Sequence, residues 1–304
     1  FENESEETTW LMKQIRRDME EGCPFREIAI LFRTNVGCRM TVERLMEYNL
    51  PFTMRDAFPN LYEHWLAKNM VSYMRLAMGG RSRKDFLAIM NRPNRYLSRE
   101  AFYEQEMNFE ILYQYYEGKE WMCDRIEKLE YDLKMMKNMT PYGAINYIRH
   151  GIGYDGYLKE YAEYRKIKVE ELYEILQEIQ ESSKGYDTYQ EWFDYMEEYK
   201  EKLQEQAEKI RCQQDAITIS TLHSVKGLEY DRVYILDVNE GSIPYHKAVL
   251  DPEIEEERRM FYVGMTRARK ELHLYSVEER FGKKLEPSRF LLELEEAPKR
   301  GKGK

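Results

Sequence analysis

The sequence predicts an α/β fold: a parallel sheet with helices on both faces, discontinuous in the chain, with an all-α domain inserted into it. Three observations carry this. A short continuous apolar run at residues 28–32 and a strongly apolar run at 232–238 suit strands buried on both faces of a parallel sheet. Between residues 81 and 213 such runs vanish, and long helical patterns rich in Glu, Lys, Tyr and Met replace them. The strand pattern then returns at residues 216–221 and closes at 272–276.

Composition sets the outer bounds. A chain of 304 residues is large enough for two domains with real cores, and 25 tyrosines with 12 phenylalanines exclude a disordered chain. The net charge of −9 gives no global support for nucleic-acid binding, although local Lys and Arg can still grip phosphate. Cys23, Cys38, Cys123 and Cys212 are widely spaced, without a CxxC or a nearby histidine pair, so neither a disulfide framework nor a metal site is expected. The apolar runs are too short for a membrane span, and reduced thiols fit a cytoplasmic protein. The chain starts at Phe1 without methionine and ends in a basic tail, and it is expected to be a piece of a longer protein.

In chain order, residues 8–21 read as an amphipathic helix with Trp10, Leu11, Ile15 and Met19 on one face, closed by Gly22 and Pro24. The strand 28–32 runs into Arg33, Thr34 and Asn35, at the strand end where open α/β sheets bind ligands. These three read equally well as a turn and helix cap. A helix at 41–48, a strand at 50–53 and a helix at 62–78 come next, and Gly79-Gly80 marks the first domain boundary. The insertion carries helical patterns at 101–116, 121–137, 169–182 and 189–210, whose Tyr and Met stripes read as packing and whose charges read as solvated faces. Asp251-Pro252 predicts a helix start with Asp as cap and Pro at the first helical position, and the acidic run 253–257 suits the first turns.

Candidate chemistry concentrates after residue 218. Thr221, His223, Ser224 and Lys226 place hydroxyl, imidazole and ammonium donors within six residues, and Gly227 allows close backbone approach. Such a loop suits a phosphate, of a nucleotide or of a nucleic-acid backbone. On the later helix, Ile254, Phe261, Met265 and Ala268 share an inward face. Arg267 falls off that stripe, free to project from the sheet edge or to complement the helix dipole.

Taken together, ILFRTN, TLHSVKGLEYDRVYILDVNEGSIP and EEERRMFYVGMTRARKELHLYS resemble, in this order, motifs IVa, V and VI of superfamily 1A helicases of the UvrD, PcrA and Rep type. RFGKKLEPSRFLLEL resembles the segment after motif VI in that family, and the likeness covers most of residues 25–100 and 214–295. The resemblance implies a RecA-like domain 2A at residues 1–78 and 214–295, an all-helical 2B insertion at 79–213 and a basic tail at 296–304. It implies an ATP-dependent 3′→5′ DNA helicase in which Arg267 is the arginine finger and Glu229 contacts the ribose. Thr221, His223 and Ser224 then reach toward single-stranded DNA, Lys226 and Gly227 support that loop, and Arg33 and Asn35 serve DNA-backbone contact or domain packing. ATP and Mg²⁺ are implied for the full-length parent and neither for this chain alone. Single-stranded DNA, a duplex junction and the N-terminal domains 1A and 1B are the implied partners, with no membrane.

The departures from the family pattern matter equally. The 304 residues contain no GxxxxGK[ST], no recognisable Mg²⁺-binding Asp-Glu pair in strand context and no NYRS arginine. Arg95-Tyr96-Leu97-Ser98 stands where family members often carry a Gly-rich RGIG turn suited to duplex backbone contact. The expectation is therefore a chain that neither hydrolyses ATP nor unwinds DNA by itself. The alternative is a non-enzymatic DNA- or protein-binding helicase remnant. A nuclease-fused parent of the AddA or RecB type would need a further domain after Lys304.

Overall fold

The computed structural model describes residues 1–34, 36–55, 60–212 and 215–296. Helix α1 (Glu4–Glu20) starts four residues before the apolar pattern does. The Asn3 side chain accepts the Glu6 N–H at 3.0 Å, and Glu4, Glu6 and Glu7 occupy the first turn, where the helix dipole favours negative charge. Its buried face holds Leu11, Met12 and Ile15, whereas Trp10 and Met19, expected on that face, are exposed. Strand β1 (Ile28–Phe32) is buried at all five positions, and α2 (Arg39–Glu47) and β2 (Phe52–Met54) complete the first segment.

A helical unit comes next, built from α3 (Trp65–Ala77), α4 (Arg83–Ile89), α5 (Phe109–Tyr115), α6 (Glu120–Met136), α7 (Pro141–Asn146), α8 (Tyr154–Arg165), α9 (Val169–Ser182) and the first part of α10 (Tyr189–Cys212), whose remainder belongs to the sheet unit. The chain divides into compact units at residues 58/59 and 198/199, not at 78/79 and 213/214. The shift has a physical cause. Helix α3 is buried nearly all round and packs on α4 and α6, so it belongs to the helical core. Gly79, at φ 92°, terminates α3 rather than marking a boundary. The pattern read as one helix over 101–116 forms helix only from Phe109, because Asn108 accepts the Ile111 N–H at 2.9 Å and caps a new start.

The return segment supplies β3 (Ile217–Thr221), β4 (Tyr230–Ile235), α11 (Asp251–Met265), β5 (Ala268–Leu274), the short antiparallel pair β6 (Glu279–Arg280) and β7 (Lys283–Lys284), and α12 (Arg289–Glu296). The main sheet has the order β2-β3-β1-β4-β5, and every pairing in it is parallel. On one face Ala29, Leu31, Val233 and Ile235 pack with Phe261 of α11 and Phe290 of α12. On the other, α1 is tied to β4 through a buried ion pair. Asp18 accepts from Arg232 Nη1 at 2.6 Å and from the Tyr234 hydroxyl at 2.5 Å. Three expected details shift. Leu250 rather than Asp251 precedes the first turn of α11, and Glu253 reaches back to accept the Val249 and Leu250 N–H groups at 2.9 and 3.1 Å. Helix α11 ends at Met265, so Ala268 opens β5 instead of finishing the helix, and β5 starts four residues before the expected last strand.

A second buried acidic contact joins α1 to the chain after β4. Glu7 Oε1 accepts the Asp237 N–H at 3.3 Å, while Asp237 Oδ2 accepts from Ser242 Oγ at 2.6 Å and from Arg280 Nη1 at 2.9 Å. Asp237 Oδ1 is buried without a hydrogen-bond partner among the described residues. Burial, with the Asp237 charge beside it, pushes the Glu7 carboxyl up from 4.5 to about 8. The folded chain thus holds a proton that the unfolded chain releases, and stability falls as pH rises through this window, by about 1.4 kcal/mol per pH unit at most. Glu7→Gln is expected to remove that slope: the variant gains stability over the wild type progressively between pH 5 and 8 in denaturant titrations. A pH-independent difference refutes the assignment.

Candidate functional site

Strands β1 and β3 are parallel neighbours with Phe32 opposite Thr221, so the chain leaves both at the same sheet edge. The loop after β3 is shaped by two anchors, Leu222 and Val225, both fully buried in the core. With these pointing inward, His223 and Lys226 are forced to solvent, and both are exposed. Thr221 is buried, and its hydroxyl donates to Ser224 Oγ at 3.3 Å. The turn is closed by the Ser224 N–H on the Thr221 carbonyl at 3.1 Å, and Gly227 takes the left-handed φ of 81° that a side chain disfavours. Helix α11 runs alongside. Hydrogen bonds from Arg259 hold its Glu256 carboxyl below the usual range, with smaller help from the charges of Lys226 and His223.

The loop then travels the length of the strands to the opposite sheet edge, where β4 and β5 begin. Here Arg267 is not free to project, contrary to the sequence expectation. Its Nε donates to the Val263 carbonyl at 2.9 Å, Nη1 to the Leu228 carbonyl at 3.0 Å and Nη2 to Thr266 Oγ1 at 3.1 Å. In return the Arg267 carbonyl accepts the Tyr230 N–H at 2.9 Å. Glu229, exposed, is bracketed between these two contacts. The geometry therefore separates the candidates into two groups: Thr221, His223, Ser224 and Lys226 in the loop that starts where β3 ends, and Glu229 with Arg267 where β4 and β5 start.

Arg33 joins neither group. It donates to both Glu257 carboxylate oxygens, at 2.8 and 2.6 Å, and its guanidinium lies 4.8 Å from the Tyr245 ring centroid. Glu257 also accepts the Tyr245 N–H at 3.0 Å. The clamp ties the end of β1 to α11 and to the segment before it, which favours packing among the two roles expected of Arg33. Asn35 lies outside the described residues. The sequence reading missed Glu257, which it took as dipole complement within an acidic run. The lack of an i+3 or i+4 cation for a residue in a helix otherwise laced with Glu–Arg pairs was the available signal.

It also missed Gly264. A Cβ there would stand 2.4 Å from Leu222 Cδ2, so α11 approaches the anchored loop closely only because position 264 lacks a side chain. Among the described residues, no group of three or more His, Cys, Asp or Glu is placed to hold a metal ion, and no helix is long and apolar enough to cross a membrane.

An all-parallel five-stranded sheet with helices on both faces, carrying ligand-type loops at its edges and a helical insertion, is a RecA-like α/β architecture. The chain belongs to the UvrD-like helicase C-terminal domain family, whose model matches residues 1–279. It is similar to YjcD of Bacillus subtilis (strain 168), 27% identical over 307 residues and covering 96% of this chain. It is similar also to the ATP-dependent DNA helicase Rep of Buchnera aphidicola subsp. Acyrthosiphon pisum, at 27% over 323 residues and 96% of this chain. Rep of Escherichia coli (strain K12) matches at 27% over 294 residues and 89% of this chain. The chain spans only 39%, 49% and 43% of the length of these three relatives.

Gly264→Ala is expected to destabilise the sheet unit by about 1–3 kcal/mol through overpacking. Trimming the neighbour with Leu222→Ala on the same background should recover part of that loss. Additive effects in the double-mutant cycle, read by denaturant unfolding, exclude the contact as the cause.

Proposed function

We propose that this chain is the C-terminal motor portion of an ATP-dependent 3′→5′ DNA helicase, with the sheet unit as domain 2A and the helical unit as domain 2B. It supplies the arginine finger Arg267, the ribose contact Glu229 and part of the single-strand track through Thr221, His223, Ser224 and Lys226. The observation that carries this reading is the Arg267 clamp. Three acceptors hold the guanidinium, which leaves two of its five N–H groups to meet charge developing on a transferring phosphoryl group. A cation pinned in advance loses little on reorganisation, which is what such a role requires. The bracketing of Glu229 by the same backbone contacts supports a ribose contact beside the finger.

ATP and Mg²⁺ belong, on this reading, to the whole protein. The phosphate cradle of a Walker A loop is not in these 304 residues, and the missing half of the nucleotide site would come from domains 1A and 1B. The role of the β3 loop is electrostatic and positional: Lys226 neutralises a backbone phosphate, and the Thr221–Ser224 turn fixes its register. Names of the relatives, Rep among them, support DNA as the substrate.

In the full-length protein, Arg267→Ala is expected to lower DNA-stimulated ATP turnover by about 10³–10⁵-fold while single-strand affinity stays near that of the wild type. Loss of DNA binding with turnover intact reverses the role assignment. For the strand track, His223→Ala/Lys226→Ala should weaken single-strand binding for all sequences alike and reduce the slope of log affinity against log salt by about one. An unchanged salt slope places the track elsewhere.

A further inference from the structure

The helical unit presents an aromatic surface that the helicase motifs do not account for. Tyr96 is 65% exposed and Trp121, at the start of α6, is 55% exposed. Between them lies Arg125, its guanidinium carbon 4.8 Å from the Tyr96 centroid and 5.0 Å from the Trp121 centroid. Arg125 Nη1 also donates to the Arg95 carbonyl at 3.1 Å, which locks the cation to the turn that carries Tyr96. Two large exposed rings thus face one cation that they share.

The turn itself is built for presentation. Tyr96 adopts φ 57°, left-handed backbone that a bulky residue disfavours and that persists only where its surroundings impose it. Those surroundings are polar and complete. Asn94 Oδ1 accepts the Tyr96 N–H at 3.0 Å, and Asn91 Oδ1 accepts the Arg95 and Leu97 N–H groups at 3.2 and 2.9 Å. The buried Arg95 donates to the Ile89 carbonyl at 3.0 Å and to the Tyr73 hydroxyl at 3.1 Å. Beside the rings, Arg99 and Lys119 are exposed, and among the described residues neither they nor Arg125 enters an ion pair. Three cations without a carboxylate partner around exposed rings favour a polyanion that carries flat rings of its own.

We propose that Tyr96, Arg125 and Trp121 form a stacking site for unpaired nucleobases of a nucleic-acid strand, with Arg99 and Lys119 meeting its phosphates. Tyr96 thereby replaces a phosphate-gripping turn with a base-gripping one, and the helical unit recognises splayed bases rather than a duplex backbone. The inference rests on the reading that the chain acts on DNA.

The test uses the full 304-residue chain and fluorescence anisotropy with a labelled mixed-sequence oligodeoxynucleotide and an abasic strand of equal length. The wild type is expected to prefer the base-bearing strand. Tyr96→Gly/Trp121→Ala should weaken that binding by about 5- to 150-fold, the range for loss of one stacked base, and leave the abasic strand unaffected. Glycine accepts the left-handed backbone and both rings are exposed, so the fold is retained. As a control for folding, Tyr96→Phe/Trp121→Phe keeps the ring faces and should bind as the wild type does. Equal affinity of wild type and Tyr96→Gly/Trp121→Ala for the base-bearing strand overturns the proposal. If His223→Ala/Lys226→Ala weakens binding while the aromatic variant does not, the strand track stands and only the stacking site falls. If neither variant alters binding, the DNA reading itself falls.

Discussion

The candidate residues at the sheet edges lie around one close contact, that of Gly264 in α11 with Leu222 in the loop after β3. Leu222 and Val225 act as two pegs driven into the core, and His223 and Lys226 beside them are turned to solvent. The same pegs set where the loop lies beneath α11, and so where Arg267, just past the end of that helix, meets the Leu228 carbonyl. Packing at interior density leaves no slack to absorb a displacement between the loop and the helix.

Electrostatics secure the frame that packing shapes. Arg33 with Glu257, and Arg232 with Asp18, each cross between a strand and a helix, and each is buried or nearly so. Such pairs contribute little net stability over apolar replacements, but removal of one partner strands a charge and costs several kcal/mol. Their value here is geometrical: Glu257 binds Arg33 and the Tyr245 backbone together, which fixes α11 against the end of β1. The exposed Glu255–Arg258 and Glu256–Arg259 pairs on the same helix are solvent-screened and contribute far less.

Much of the fold was legible because its signals are local. The continuous apolar run of β1 and the spacing of α9 match the structure residue for residue. Errors arose where distant residues decide. Trp10 and Met19 fit a helical face by spacing, yet the buried face of α1 is rotated toward Thr8 and Asp18, because the polar pair with Arg232 and Tyr234 draws it there. Helix α3 looked like the close of the sheet domain because Gly79-Gly80 comes directly after it, and its contacts with α4 and α6 are invisible to a linear pattern. At the candidate site, the loop donors could be read from residue types, whereas the pairing of Arg33 with Glu257 and of Arg267 with the Leu228 carbonyl could not, since each partner lies more than thirty residues away.

By itself, the sequence determined the elements, the interrupted α/β organisation and the family, because periodicity, turn residues and the motif register are written along the chain. Tertiary structure alone decided which polar groups face solvent, which are consumed in internal pairs, and that the loop after β3 spans the sheet to bring Glu229 beside Arg267. It also decided that Tyr96, Arg125 and Trp121 converge into one surface. The physical reason is common to all of these: strand register and helix approach are set by volumes and charges that meet only after the chain has folded.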